Sequence, residues 1–352
     1  MQRTYFLGGA SPQGFETDFW RAQAEQNRYG IYLKGGPGTG KSTLMKRIAA
    51  AFAGENISLY HCASDPHSLD AAVLEDRGIF IADATAPHES GTPLPYVSGE
   101  TVDLAAGLNA EQLHAERAAI RALYSENQTA HSQAKKGLAG IAEMQEIIAG
   151  TGAAALLPEK LAKFVRNTAK RLLPHKPAYA GRILYRQSCA VTPLGVLRFL
   201  PEQFDLILLH DPYYAAADAM LGQLAEAAVS ARLDCEITRS LIRKDRPPVQ
   251  LILPEQKLIF AAVTDCRQPE LPVPVSAVHM QRFYDAAKLR QQRSLMRFCA
   301  KTAAAAEEQV ILLLAEALRV HDALEKYYIR ALDTAFLDRT AESLIERIRA
   351  FA

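Results

Sequence analysis

The sequence has few of the features of a protein that is stabilised by disulfides or by a structural metal ion, or of one that binds nucleic acid. Its five cysteines are scattered over 352 residues and form no C-x-x-C pair, so neither a disulfide framework nor a zinc site is indicated. Neither sign of charge prevails, since 40 Lys and Arg residues stand against 39 Asp and Glu residues. Net charge therefore gives no indication of a nucleic-acid or membrane partner.

Long hydrophobic runs are also missing. No uncharged apolar segment is long enough to span a bilayer, and no cationic segment followed by an apolar one opens the chain. We therefore expect a cytoplasmic protein without membrane insertion. A hydrophobic content of 49% with 22% charged residues is typical of globular domains, and the length fits two domains of ordinary size.

What the sequence does contain is a complete phosphate-binding loop pattern, G-x-x-x-x-G-K-[ST], near residue 40. β-branched and aromatic residues before it (29–34) predict a strand, and the apolar spacing after it (44–52) predicts a helix. Strand, loop and helix thus follow in the order that a P-loop requires. The loop residues are Gly35, Gly36, Pro37, Gly38, Thr39, Gly40, Lys41, Ser42 and Thr43.

Each part of this pattern has a physical role in holding phosphate. Glycines allow a close backbone approach, so that successive N–H groups surround the phosphates. The helix N-terminus adds further N–H donors and a partial positive charge. We expect Lys41 to bridge the β- and γ-phosphates and the Ser42 hydroxyl to ligate magnesium. The predicted ligand is a nucleoside triphosphate, ATP with Mg²⁺.

A neighbouring strand supplies the carboxylate that a magnesium site needs. Residues 78–83 form an apolar run that ends in Asp83, and ligands gather at the carboxyl ends of strands in open α/β sheets. Asp83 and Ser42 are therefore the predicted metal ligands, although an aspartate that only begins a turn is the alternative. Ala84 follows, so the glutamate that many ATPases place there to polarise water is missing.

Three further residues are candidates for catalysis beside Lys41. Asp65 and Asp70 follow the next predicted strand and could orient water or an acceptor hydroxyl. Asp65 also precedes Pro66, which is the pattern of a helix N-cap with proline at the first helical position. His88 could sense the γ-phosphate, or it could be a solvated loop side chain.

The second half of the chain repeats the first. Placing Ile31 on Ile207 aligns the strands and the helix of the two halves, which suggests duplication of a whole domain. The predicted domains are residues 1–180 and 181–352, which we expect to pack on each other. The second loop has lost its glycines, lysine and hydroxyl, so we expect that half to bind no nucleotide. The replacements are Asp211 for Gly35, Ala216 for Gly40, Ala217 for Lys41, Asp218 for Ser42 and Ala262 for Asp83.

Helical arms are predicted after each core. Two segments rich in alanine and charged residues, 108–148 and 280–348, carry apolar residues at helical spacing. The candidates for a buried seam in the second segment are Leu312, Leu313, Leu318, Leu324 and Tyr328. The arms could reach a partner or pack on their own core. A basic loop of the second half could supply an arginine finger to the intact site or be solvated. Its basic residues are Arg239, Arg243, Lys244 and Arg246. A basic stretch at 160–176 lacks the interleaved aromatics that stack bases, so nucleic acid is not favoured as a partner.

Four motifs together resemble one family. They are KGGPGTGKSTLM at 34–45, HCASD at 61–65, DATAPH at 83–88 and HDALEKYY at 321–328. The chain is similar over nearly its whole length to a family of uncharacterised bacterial tandem P-loop ATPases. The resemblance implies an α/β fold of two tandem P-loop NTPase-like parallel-sheet domains with helical arms, and it implies nucleotide binding but no substrate. Family members carry a P-loop in each half, whereas here the second is erased.

Three functions are compatible with these observations. The first is an ATPase or ATP-driven switch, in which phosphate contacts order the nearby loops and the arms transmit the change. The second is a small-molecule or nucleotide kinase, in which Asp65 or Asp70 orients an acceptor hydroxyl. The third is a non-hydrolysing nucleotide-binding scaffold, which the missing glutamate after Asp83 favours.

Overall fold

The computed structural model of the chain describes residues 2–24, 28–86, 92, 94–173, 181–264 and 275–351. The strands are β1 (Gln2–Phe6), β2 (Gly8–Ser11), β3 (Gly14–Thr17), β4 (Tyr29–Lys34), β5 (Ile57–His61), β6 (Leu69–Leu74), β7 (Ile79–Asp83), β8 (Gly99–Asp103), β9 (Ile183–Tyr185), β10 (Cys189–Thr192), β11 (Gly195–Arg198), β12 (Asp205–His210), β13 (Cys235–Arg239), β14 (Pro248–Leu253), β15 (Leu258–Val263) and β16 (Val275–His279). The α-helices are α1 (Phe19–Ala24), α2 (Lys41–Ala51), α3 (Ala110–Ala115), α4 (Arg117–Ala155), α5 (Pro158–Leu172), α6 (Ala215–Ser230), α7 (Ala286–Gln291), α8 (Arg293–Ala331) and α9 (Thr334–Ala350).

One strand topology occurs twice in the described part of the chain. The first six-stranded sheet has the order β1-β5-β6-β7-β4-β8, and the second has the order β9-β13-β14-β15-β12-β16. Each strand of the first sheet therefore has a counterpart at the same place in the second. The strand registers agree as well, because Leu33 lies opposite Asp83 and Leu209 lies opposite Ala262.

Both sheets are mixed, whereas the sequence predicted parallel sheets. β6 pairs antiparallel with β5 and with β7, and β14 does the same with β13 and β15, while the other pairs within the two six-stranded sheets are parallel. The prediction missed β6, which the sequence places in a loop. The connections 62–68 and 75–78 are too short for a parallel crossover, which needs about a dozen residues or more, so β6 forms hairpins with both neighbours.

The first sheet is covered by apolar side chains on both faces. On one face α2 and α9 form a continuous buried cluster. On the other face lies a cluster with five aromatic residues, namely Tyr5, Phe19, Tyr32, Tyr60 and Phe80. Each large side chain buried in this way contributes roughly 1.5–3 kcal/mol. The α2–α9 cluster includes Leu44, Met45, Ile48, Leu337, Ala341 and Leu344.

The compact units of the molecule are not the consecutive halves 1–180 and 181–352. The first unit comprises Met1–Lys136, Cys189–Phe199 and Gln309–Ala352, and the second comprises Gly137–Ser188 and Leu200–Glu308. The chain passes from one unit to the other inside α4 and again inside α8. Each of these helices has 39 residues. Such a helix is about 58 Å long, so its two ends can serve different cores.

The two repeats therefore exchange their last helices. α9 follows the second repeat in sequence but packs on α2 of the first unit, and α5 follows the first repeat but packs on α6. Two isolated β-bridges agree with this exchange, because each joins a residue of one repeat to a residue of the other. Leu108 pairs with Leu332, and Leu156 pairs with Tyr284. Each unit is completed by a helix from the other repeat.

The buried stripe of α8 shares only Leu324 with the predicted seam, since Leu313, Leu318 and Tyr328 are partly buried and Leu312 is exposed. Leu312 is 61% exposed. Its side chain points away because the buried positions follow three- and four-residue steps that pass it by. No described helix has both the length and the apolar composition that a membrane crossing requires. The buried positions in this part of α8 are Val310, Leu314, Ala317, Val320 and Leu324.

Candidate functional site

The predicted phosphate loop lies at the carboxyl edge of the first sheet, between the end of β4 and the start of α2. Gly38 and Gly40 have φ angles of 67° and 84°, in the left-handed region that favours glycine. Thr39 is fully buried and its hydroxyl donates to the carbonyl of Gly36 at 2.9 Å, which ties the loop together. The backbone shape of the loop therefore depends on glycine at positions 38 and 40, of which the pattern requires Gly40.

Lys41 folds back over this loop. Its Nζ donates hydrogen bonds to the carbonyl oxygens of Gly36 at 2.7 Å and Gly35 at 3.1 Å. The same atom lies 3.5 Å from the Asp83 carboxylate, and the Lys41 side chain is only 10% exposed. The structure therefore brings the predicted lysine and the predicted acidic residue together at one point.

Ser42 and Asp83 supply oxygen atoms at the same edge of the sheet. Asp83 is the last residue of β7, and its Oδ1 accepts the N–H of Thr85 at 2.9 Å and the Thr85 hydroxyl. The Ser42 hydroxyl accepts the N–H of Leu69 at 3.0 Å. A hydroxyl oxygen has two lone pairs, so Ser42 can keep this bond and still bind a cation.

A hydroxyl and a carboxylate are oxygen donors of the kind that Mg²⁺ prefers. Within the described residues there is no cluster of three or more His, Cys, Asp or Glu side chains that could hold a metal ion. Mg²⁺ is commonly held by one or two carboxylates, substrate phosphates and water. The pair of Ser42 and Asp83 is compatible with such a site and requires phosphate oxygens to complete it.

The other predicted catalytic residues are engaged elsewhere or lie outside the described part of the chain. Asp65 Oδ1 accepts the N–H of His67 at 3.2 Å, and its Oδ2 accepts the Ser68 hydroxyl. Asp65 thus caps a turn; the alternative that it caps a helix is wrong, because the chain enters β6 directly after this turn. Asp70 lies within β6 and is 5% exposed. His88 is outside the described residues.

Sequence reasoning missed the contribution of α8 to this loop. Glu325 Oε1 accepts the N–H of Gly38 at 3.0 Å. The Tyr328 ring packs on Gly36 so closely that a Cβ atom there would lie 2.8 Å from it. Glu325 follows His321 by four residues, but acidic and basic residues at this spacing are common on helices and predict no contact with a distant loop.

Glu325 is held as a carboxylate by its neighbours. His321 Nε2 lies 3.4 Å from its Oε1. The hydrogen bond from His321 is the main factor that lowers the pKa of Glu325, with smaller contributions from the Gly38 N–H and from Lys41. The neighbouring Asp322 has a raised pKa, because it is partly buried and lies near the negative charge of Asp65.

The corresponding loop of the second unit is filled by its own side chains. Asp211 is 1% exposed, and its carboxylate accepts the N–H groups of Tyr213 at 3.0 Å and Ala217 at 2.9 Å. The Tyr284 hydroxyl donates to Asp211 at 2.7 Å and accepts the N–H of Ala216 at 2.6 Å. N–H groups that could hold a phosphate are thus already bonded. The sequence predicted that this loop binds no nucleotide, because residues of the phosphate-binding pattern are missing; in the structure its N–H groups are in addition bonded to side chains of the protein.

Asp218, the counterpart of Ser42, is part of an ion-pair cluster in the second unit. It lies 2.7 Å from Arg243, and Arg243 lies 3.6 Å from Glu146 and stacks over the Tyr214 ring. Burial raises the pKa of Asp218 to about 6, against the opposing effect of Arg243. These contacts engage Arg243 inside the second unit and lend no support to an arginine-finger role.

Comparisons with protein-family models, with curated proteins and with solved structures give no match to the chain. The geometry of the two loops is therefore the basis for functional inference.

Proposed function

We propose that the chain binds ATP with Mg²⁺ at residues 35–43 and acts as an ATPase or ATP-driven switch. The observation that carries this proposal is the placement of Lys41. Its ammonium group lies over the carbonyls of the glycine loop and 3.5 Å from Asp83, at the N-terminus of α2. A lysine, a helix N-terminus and an acidic strand end at one edge suit a phosphate chain that carries a magnesium ion.

Each residue would act on a defined part of the ligand. The loop N–H groups would bind phosphate oxygens, and Lys41 would exchange its contacts with Gly35 and Gly36 for contacts with the β- and γ-phosphates. The Ser42 hydroxyl and the Asp83 carboxylate would hold Mg²⁺. The ion would neutralise part of the phosphate charge.

We expect turnover to be slow. The residue after Asp83 is Ala84, which is fully buried, so this position has no carboxylate to polarise water. Asp65 holds a turn together and Asp70 lies inside the sheet. The same observations favour a nucleotide-binding scaffold as second candidate. They give less support to a kinase, because neither aspartate is placed openly for an acceptor hydroxyl.

The proposal is tested by ATP binding and phosphate release with the purified protein, with and without Mg²⁺. Lys41→Ala should weaken binding by about 100-fold or more, since the lysine supplies the charge that faces the phosphates. The matched control is Lys46→Ala, which makes the same change at an exposed position of α2. Equal binding by wild type and Lys41→Ala would overturn the proposal. Binding without phosphate release would select the scaffold.

A further inference from the structure

The phosphate loop of the first unit is covered by the C-terminal helices. A Cβ atom at Gly36 would lie 2.8 Å from Tyr328, and one at Gly38 would lie 2.8 Å from the carbonyl oxygen of Glu325. A Cβ atom at Gly40 would lie 2.5 Å from Leu337 of α9. The glycines therefore allow helices α8 and α9, as well as a ligand, to approach this backbone closely.

One loop N–H group is already bonded to an anion. A backbone N–H carries a single hydrogen, and that of Gly38 is donated to the Glu325 carboxylate at 3.0 Å. A phosphate oxygen that used the same donor would have to take the place of Oε1. It would also meet a like charge, because the low pKa of Glu325 keeps this side chain ionised.

In the second unit, too, a carboxylate accepts hydrogen bonds from the N–H groups of the loop. There the anion is Asp211, which belongs to the loop itself, is 1% exposed and accepts from Tyr213, Ala217 and Tyr284. The Glu325 side chain is 35% exposed and comes from a different element. It can leave the loop by turning towards water, where a carboxylate is well solvated.

A carboxylate occurs at this helix position only in the repeat whose loop has Lys41. The helices α4 and α8 are equally long and occupy matching places in the two repeats. Counting along them, Glu325 stands where α4 has Ala149, which cannot supply an anion. An acidic side chain over the loop is therefore not a general requirement of this helix.

We infer that Glu325 is an internal anion that competes with nucleotide phosphate for the loop, so that ATP binding displaces it and loosens residues 321–331 at the end of α8. This inference rests on the proposed function and adds its regulation. Binding of ATP to the loop of the first unit would thus change α8, the helix whose first part, up to Glu308, belongs to the second unit.

The first test compares the affinities of wild type, Glu325→Gln and Glu316→Gln for ATP with Mg²⁺. Glu325→Gln removes the competing charge and should bind about 10-fold more tightly, because a charge-assisted hydrogen bond is lost from the ligand-free state. Glu316→Gln removes one charge from the same helix at an exposed pair with Arg319 and should bind like wild type. Unchanged or weaker binding by Glu325→Gln would overturn the inference.

Failure of the inference can be told apart from failure of the proposed function. If wild type binds ATP and Glu325→Gln binds equally well, only the inference is lost. If ATP binds to neither protein, the proposed function fails and the inference falls with it. If ATP binds only to Glu325→Gln, Glu325 blocks the wild-type loop, and both the proposed function and displacement by ATP are ruled out.

Hydrogen exchange in the wild-type protein gives an independent readout that needs no variant. Addition of ATP should slow exchange in residues 35–43 and speed it in residues 321–331, because the end of α8 loses its contact with Gly38. Slower exchange in both segments would mean that α8 closes on the nucleotide, and would overturn the inference.

Discussion

The loops after β4 and after β12 occupy the same place in two copies of one topology, yet their N–H groups have different partners. In the first loop Gly38 donates to Glu325, which lies on a separate helix. In the second loop Ala217 donates to Asp211, which belongs to the loop itself. Because N–H groups that are removed from water must be bonded, each loop has an acceptor within the protein.

The backbone of the second loop departs from that of the first. Tyr214, at the position of Gly38, has a φ of 65°, close to the 67° of the glycine, but its ψ of −46° lies outside the left-handed helical region. A sparsely populated conformation of this kind costs on the order of 1–3 kcal/mol. Packing of Arg243 over the Tyr214 ring offsets part of this cost. Helix α6 begins at Ala215, whereas α2 begins at Lys41, the counterpart of Ala217, so the path of the chain differs together with its chemistry.

The largest effect is expected from removal of the internal anion of the second loop. Asp211→Ala would leave the N–H of Ala217 and the hydroxyl of Tyr284 without this acceptor, and should lower the free energy of unfolding by about 4 kcal/mol. The matched control is Asp205→Ala at an exposed position of β12. Urea unfolding followed by circular dichroism measures both. Equal stability of the two variants would show that Asp211 does not hold the loop.

A smaller loss is expected from a methyl group in the first loop. Gly40→Ala places a Cβ atom 2.5 Å from Leu337 at a φ of 84°, and should destabilise the protein by about 2 kcal/mol. Gly54→Ala makes the same change where no atom lies within 4 Å and should be nearly neutral. The second loop already has Ala216 at the position of Gly40. Urea unfolding that ranks the two variants equally would contradict this account.

The last effect depends on pH. The pKa of Asp218 is raised from 3.8 to about 6, so the folded state holds this proton more tightly than the unfolded state. The contribution of Asp218 to stability is therefore fully present below about pH 4 and is lost as the pH rises to about 6.

Asp218→Asn should remove this pH dependence, which a raise of about two pKa units places at roughly 3 kcal/mol. The measurement is the difference in free energy of unfolding between wild type and variant at pH 4 and at pH 7. Ser42, the counterpart in the first loop, does not titrate in this range. A difference that stays constant with pH would rule out the raised pKa.

Local patterns were sufficient to predict the elements that hold the candidate site. β4, the loop and α2 follow from the strand-like residues, the glycines and the apolar spacing of residues 29–52, and each of these signals acts over a few neighbours. Asp83 ends β7 as the pattern predicted. That the site binds ATP and Mg²⁺ stays a prediction, which the experiments above test.

The direction of β6 could not be predicted in the same way. Its sequence contains Asp70, Ala71 and Ala72, which have weak strand propensity, and Asp65 with Pro66 suggested a helix instead. Burial of the whole segment between β5 and β7 outweighs this local preference. Strand pairing, which is a tertiary contact, decided both the strand and the mixed character of the sheet.

The sequence by itself determined an α/β chain with two similar halves, one of which has a loop with the pattern G-x-x-x-x-G-K-[ST] while the other lacks it. Only the tertiary structure decided that α5 and α9 are exchanged between the repeats, and that Glu325 and Asp211 are the acceptors at the two loops. The physical reason is sequence distance. Gly38 and Glu325 are 287 residues apart, and periodicity along a helix shows which side chains share a face but not which distant backbone that face will contact.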